Sequence, residues 1–87
     1  MTKKEDIIPG TVLRVTRVVN TGYNVTIDAH LMLSGKEFPV AVGDELEIVR
    51  KSSRKLDGIN LVRVKRLSDN LEGEMYYCDV RYCTEKK

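Results

Sequence analysis

The sequence has few of the side chains from which enzyme active sites are built. In 87 residues it holds no tryptophan and a single histidine, His30. It contains no Gly-x-Ser-x-Gly elbow, no phosphate-cradling glycine loop and no His-x-x-x-His pair. Asp28 and His30 would share one face of an expected strand, an arrangement that is common on exposed strands by chance. We therefore expect no catalytic residue, no cofactor and no small-molecule substrate.

Ligands for a metal ion and partners for a disulfide are also scarce. Cys78 and Cys83 are the only cysteines, five residues apart. On one strand that spacing points them to opposite faces, so we expect no disulfide between them. A zinc site needs about four ligands, and His30 is the only other soft candidate. We expect no metal site and two reduced thiols, with Cys78 in the core.

Long apolar runs are missing as well. No run approaches the roughly 20 residues that span a bilayer. The N-terminus MTKKED is polar, with no apolar segment behind it that would form a secretion signal. A content of 41% hydrophobic and 32% charged residues is typical of a folded globular domain rather than a disordered chain. We expect one small soluble domain with no membrane partner.

What the sequence does have is a series of short runs rich in β-branched residues. The clearest run follows the turn at Gly43-Asp44, where Leu46 and Ile48 alternate with two glutamates. Turn signals separate the runs, and no helical period of 3.6 is evident, although one or two helical turns could form near residues 68–72. Strands are expected over residues 11–19, 23–31, 44–51, 60–67 and 74–83, with an irregularity near Arg17, a short connection at 20–22 and a loop at 52–58.

Five short strands without helices indicate a small antiparallel all-β barrel. An OB-like barrel is the expected fold, and an SH3-like barrel is the alternative. We expect the domain to cover residues 10–83, with polar tails at 1–9 and 84–87. In the last strand, Tyr76, Cys78, Val80 and Tyr82 would face the core, opposite Met75, Tyr77, Asp79 and Arg81.

Charge is distributed unevenly along the chain. The net charge is only +2, but residues 50–66 hold seven basic side chains and one acidic side chain, Asp57, while the rest of the chain holds 8 basic and 12 acidic residues. Such a patch can neutralise phosphates or meet an acidic protein surface, and it can also be a solvated face. The expected patch consists of Arg50, Lys51, Arg54, Lys55, Arg63, Lys65 and Arg66.

Aromatic residues make up only 6% of the chain, and none lies within the basic segment. Single-strand-binding barrels stack bases on aromatic rings, so we favour a protein partner over sequence-specific nucleic-acid binding, with contact to an RNA or DNA backbone still open. Met75, Tyr77 and Arg81 would share the outer face of the last strand, and their types are enriched at protein interfaces. We expect a protein interface there, or scattered surface residues.

A family resemblance adds to this interpretation. Asp28, Phe38-Pro39-Val40, Gly43-Asp44 and Leu46-Glu47-Ile48 occur in the order seen in the RNA polymerase subunit eight family, and Glu74-Met75-Tyr76-Tyr77 is similar to its Met-Tyr strand. The resemblance implies an OB-type, non-catalytic subunit that docks on the polymerase large subunit, in the cytoplasm of an archaeal or viral host or in a eukaryotic nucleus. The connection from Asp28 to Phe38 is longer than expected, and a Gly-Gly-Leu half is missing, as in a shortened archaeal RpoG-like member.

A second resemblance is to S1-like RNA-binding barrels. Pro9-Gly10-Thr11-Val12 is similar to their opening segment, and Val42-Gly43-Asp44-Glu45-Leu46 is similar to the turn before their fourth strand. It implies a stand-alone binder of RNA or single-stranded nucleic acid. The sequence departs from that pattern because Asn24 and Thr26 occupy places where outward aromatic residues would stack on RNA.

Overall fold

The protein folds into a curled antiparallel β-sheet, and the residues that the structure describes include one short α-helix. The computed structural model describes the backbone of residues 1–20 and 27–87 and the side chains of residues 1–19 and 29–87. The described strands are β1 (Val12–Val15), β2 (Val19–Asn20), β3 (Ile27–Asp28), β4 (His30–Leu33), β5 (Lys36–Pro39), β6 (Glu45–Leu56), β7 (Ile59–Arg66), β8 (Leu71–Tyr76) and β9 (Thr84–Lys86). Seven of them form the main sheet in the order β5-β4-β8-β7-β6-β1-β9, and β2 pairs with β3 in a separate two-stranded sheet.

The all-β, antiparallel prediction is confirmed, but the strand count of five is wrong, because the main sheet has seven strands among the described residues alone. The expected strand over residues 11–19 divides into β1 and β2, with a break beside Arg17 where the irregularity was predicted. The stretch from Met32 to Glu37 forms a hairpin that turns at Ser34-Gly35, where both φ angles are positive, at 53° and 78°. Residues 21–22 of the expected connection and residues 23–26 of the strand expected over 23–31 lie outside the described residues.

The two longest strands form a hairpin that the sequence interpretation placed partly in a loop. Strand β6 continues to Leu56, so the loop expected over residues 52–58 is wrong. Asp57 and Gly58 make the two-residue turn, with φ angles of 52° and 78°. Positive φ at both central residues is typical of the type I′ turn that Asp-Gly favours, because its twist matches that of the strands. The hairpin therefore carries most of the basic segment on strands.

The last predicted strand is also wrong in its second half. Strand β8 ends at Tyr76, and residues Tyr77–Tyr82 form the helix α1. The helix buries three consecutive residues, Cys78, Asp79 and Val80, which a strand with one solvent face would not do. Six residues are too few to show a helical period, so the alternation of the sequence was compatible with either structure.

Both ends of the chain pack on the domain rather than forming the expected polar tails. A short 3₁₀ helix covers Lys4–Asp6, and Ile7 after it is fully buried. The backbone N–H of Thr2 donates to the carbonyl of Arg81 at 2.8 Å. At the other end, β9 pairs with β1 along the edge of the sheet. The described helices are too short and polar to cross a bilayer.

The core lies on one face of the sheet. Leu46 and Ile48 of β6 and Val62 and Val64 of β7 are almost completely buried, as the alternation predicted. Leu13, Val15 and Met75 join them from neighbouring strands, and Val80 covers them from α1. Each such side chain contributes roughly 1.5–3 kcal/mol by burial, so this small core positions the hairpin and the helix firmly.

Candidate functional site

The turn that begins β6 is held by its own side chains. The Asp44 carboxylate accepts a hydrogen bond from the N–H of Ala41 at 2.8 Å, and the N–H of Asp44 donates to the carbonyl of Ala41 at 3.0 Å. Arg66 reaches this turn from β7: its Nη1 donates to the carbonyl of Pro39 at 3.0 Å and lies 3.8 Å from the Asp44 carboxylate. Arg66 therefore fastens β5 and the turn to the central hairpin, a structural role.

The other end of the Arg66 guanidinium binds Asp69 through two hydrogen bonds of 3.1 and 2.8 Å. These bonds, with one from the Leu71 N–H, hold the pKa of the Asp69 carboxyl below its usual value. The pKa of Arg66 is raised, first by its bond to Asp69. Because these intramolecular contacts occupy the guanidinium, we leave Arg66 out of the candidate binding surface.

The remaining basic residues of the predicted patch lie on two faces of the hairpin rather than one. Strand β6 pairs Ile48 with Val64 and then Arg50 with Arg63, which leaves Val49 as one extra residue, a β-bulge. Because side chains opposite each other share a face, the bulge puts Arg50 on the face away from the core.

Acidic residues accompany the basic ones on that outer face. Arg63 donates to the Glu72 carboxylate at 2.6 Å, and Arg54 donates to the Glu74 carboxylate at 2.9 Å. Lys65 lies directly opposite Glu47 on one side and Glu72 on the other. The outer face is therefore a mixed field of both charge signs, not the single positive patch that the sequence predicted.

Beyond the bulge, Lys51 is on the face that carries the core. It lies opposite the buried Val62, and farther along the hairpin Lys55 lies opposite Asn60, two residues from Val62 on the same face. Neither lysine makes an ion pair with a described residue. The hairpin extends past the core there, so its core-side face becomes one wall of a cleft.

That cleft has a volume of about 460 Å³ and opens between the hairpin, α1 and the N-terminal 3₁₀ helix. Lys51, Ser52, Asn60 and Leu61 line it from the hairpin. Tyr77 and Arg81 line it from α1, and Lys4 lines it from the N-terminal segment. Three cationic side chains and three groups that can hydrogen-bond thus surround one cavity, with no carboxylate among the described residues that line it.

Two of the three predicted interface residues, Tyr77 and Arg81, meet in this cleft. They lie four residues apart on α1, which places them on the same side of the helix. Tyr77 also packs against the core. The Arg81 Nε donates to the Thr2 carbonyl at 3.4 Å, and its guanidinium carbon lies 5.7 Å from the centre of the Tyr82 ring. The third, Met75, is fully buried, so the expected outer face of a last strand does not exist.

His30 lies away from the cleft and is less exposed than the sequence predicted. Its side chain is 16% exposed, with Nε2 3.6 Å from the Glu37 carboxylate. The Tyr76 ring meets it edge-on at 6.1 Å between centroids. The side chain of Asp28 lies outside the described residues. Across the residues that the structure describes, no three histidine, cysteine or carboxylate side chains are grouped as metal ligands.

Both cysteines are buried as free thiols near α1. Burial raises the pKa of Cys78, and burial followed by the charge of Asp79 raises the pKa of Cys83 to about 11. Since the thiolate is the reactive form, these thiols are poor nucleophiles at neutral pH.

Sequence reasoning missed Lys4, Ser52 and Asn60 as members of the cleft. Lys4 belonged to an expected tail and Ser52 to an expected loop. The Asp57-Gly58 pair was the available signal for Ser52 and Asn60, because a hairpin that turns there brings β6 beside β7. Comparisons of the chain with protein-family models, with curated proteins and with solved structures find no match.

Proposed function

We propose that the protein is a non-catalytic accessory subunit of a multi-subunit DNA-directed RNA polymerase, an OB-like barrel that docks on the large subunit. The resemblance of residues 25–52 to the subunit eight family motivates the proposal. The observation that carries it is the position of the motif: Phe38-Pro39 ends β5, which is an edge strand of the main sheet. The Gly43-Asp44 turn beside it is fixed by Arg66.

An edge strand presents backbone N–H and C=O groups that can pair with a strand of another protein. Lys36 and Glu37 are exposed on β5. The mixed charges on the outer face of the hairpin also suit a protein surface, which presents both signs, better than a uniformly anionic polymer. The domain therefore acts by attachment, with no chemical step of its own.

Purification of the tagged full-length chain from its native host tests this proposal. Mass spectrometry should find polymerase subunits in stoichiometric amounts. Reversing the charges of the edge, by Lys36→Glu with Glu37→Lys, should reduce their recovery, whereas Lys86→Glu on the opposite edge strand should not. Recovery of ribosomes or free RNA in place of polymerase subunits would overturn it.

A second function, stand-alone binding of RNA or single-stranded DNA, is favoured by one observation. Arg50, Lys51, Lys55 and Lys65 make no ion pair with any described residue. Such cations release counterions from a nucleic acid, so binding should weaken steeply with salt. Filter binding measures this, and no retention of single-stranded RNA or DNA at about 50 mM salt would reject it, since low salt favours such binding most.

A further inference from the structure

The cleft between the hairpin, α1 and the 3₁₀ helix gathers positive charge from parts of the chain that are distant in sequence. Lys4, Lys51 and Arg81 line it together. Like charges that are brought together repel, and here the described lining supplies no carboxylate to offset them. Such a cavity concentrates an anion, because its walls focus the field of all three cations.

The neutral side chains of the cleft can form hydrogen bonds, so they suit a phosphate ester better than an anion that is held by charge alone. The hydroxyl of Ser52 and the side-chain amide of Asn60 can donate to phosphate oxygens, as such groups do in most nucleic-acid complexes. Arg81 is already oriented by the Thr2 carbonyl and the Tyr82 ring, so little side-chain freedom would be lost when it binds. An oriented guanidinium forms short, strong hydrogen bonds to phosphate oxygens.

The size and the aromatic wall of the cleft indicate a ligand larger than phosphate alone. A volume of about 460 Å³ lies within the range of small-molecule sites, roughly 300–1,000 Å³, and leaves room beside a phosphate for a sugar and a base. Tyr77 is half-buried against the core and lines the cavity. A fixed tyrosine ring provides a surface on which a base of any sequence can stack.

We infer that this cleft binds one nucleotide unit, with its phosphate against Lys4, Lys51 and Arg81 and its base beside Tyr77. The unit is either a free nucleoside monophosphate or one residue of a single strand. The site does not depend on attachment to a polymerase. The basic segment contains no aromatic residue of its own, but the fold brings Tyr77 beside it from α1.

Binding to the purified full-length chain tests the site with four probes: inorganic phosphate, AMP, a ten-residue single-stranded oligonucleotide and poly-glutamate. AMP should bind more tightly than phosphate, since only AMP uses the aromatic wall. Saturation by AMP identifies the free nucleotide as a ligand, whereas much tighter binding of the oligonucleotide identifies a strand. Poly-glutamate binding in preference to AMP and the oligonucleotide would refute the inference in favour of an acidic protein segment.

Lys51→Gln and Lys55→Gln form a matched pair, because both lysines are exposed on β6 and only Lys51 lines the cleft. Lys51→Gln should weaken AMP binding about tenfold, the effect of one hydrogen bond to a charged group, and Lys55→Gln should leave it unchanged. Tyr77→Leu should weaken AMP but not phosphate. Equal effects of the two lysine changes would show diffuse charge attraction and reject the site. Polymerase recovery with Lys51→Gln is measured separately, so failure here is distinct from failure of docking.

Discussion

At the scale of single residues, burial decides which titrating groups affect the stability of this protein. Cys83 is fully buried, and its pKa is raised to about 11, first by loss of solvent and then by the charge of Asp79. The pKa of a cysteine thiol in the unfolded chain is about 8.5. The folded state therefore binds more protons than the unfolded state between these two values, and the free energy of unfolding falls as pH rises through that window.

Cys83→Ala should remove the contribution of Cys83 to this pH dependence. Below about pH 8 the variant should be less stable than the parent chain, because a small cavity replaces the sulfur. Between pH 8 and 11 the difference in the free energy of unfolding should shrink by about 2 kcal/mol, since only the parent chain has a thiol at position 83 that loses its proton on unfolding. Urea denaturation at several pH values measures both, and the buried thiol of Cys78, whose pKa is also raised, is common to the two proteins. A difference that stays constant with pH would contradict the buried, neutral thiol.

The sequence predicted the burial of single residues well where apolar and polar residues alternate along a strand. It predicted contacts poorly where the two partners lie on different elements. The burial of Leu46, Ile48, Val62 and Val64 followed from period two. The contacts of Arg66 with Asp69 and with the Pro39 carbonyl did not follow from this period, because they join β7 to a turn and to another hairpin. Charge counts along a segment therefore overestimated the cations that are available to a ligand.

At the scale of elements, two local features escaped the sequence interpretation for different reasons. Asp57-Gly58 is a strong hairpin signal, but the polar, basic residues before it resemble a loop, because this part of the hairpin extends past the core and shows no alternation in burial. The helix α1 gave no signal at all. Its six residues form a helix because the end of the sheet accepts Val80 and Cys78 there, which is a tertiary effect.

Gly73 sets the distance between β4 and β8. A Cβ atom at this position would lie 2.7 Å from the carbonyl oxygen of Met32, which is backbone and cannot rotate away. Gly73→Ala should gain about 0.4–1 kcal/mol by restricting the unfolded chain, and it should lose about 1–3 kcal/mol by overpacking. The clash should dominate, so we expect a net loss of about 1 kcal/mol or more in urea denaturation. Ser53→Ala, at an exposed position of β6, is the control and should change stability by less than about 0.5 kcal/mol. Equal stabilities of the two variants would show that β4 can move away freely.

At the scale of the whole molecule, the fold converts a chain of nearly neutral charge into a molecule with distinct surfaces. The outer face of the hairpin pairs Arg63 and Arg54 with carboxylates of β8, whereas the cleft on the other face collects cations from three segments. The sequence revealed an excess of charge over residues 50–66 but not this division, since it follows from the register of the hairpin, which shifts at Val49 and again between Lys51 and Lys55.

The N-terminal segment completes the domain and supplies one wall of the cleft, which makes its packing open to a direct test. Ile7 is fully buried in the core, whereas its neighbour Ile8 is 54% exposed. Ile7→Ala should therefore cost about 2–4 kcal/mol, by lost transfer free energy and the cavity that remains, and Ile8→Ala should cost less than about 0.5 kcal/mol. Chemical denaturation of the two variants measures this difference in stability, and both carry the same isoleucine-to-alanine change. The Lys4 backbone is positioned by the same packing, so Ile7→Ala should also weaken AMP binding while Ile8→Ala leaves it intact. Indistinguishable stabilities of the two variants would mean that residues 1–9 are a tail after all, and that the cleft has only two walls.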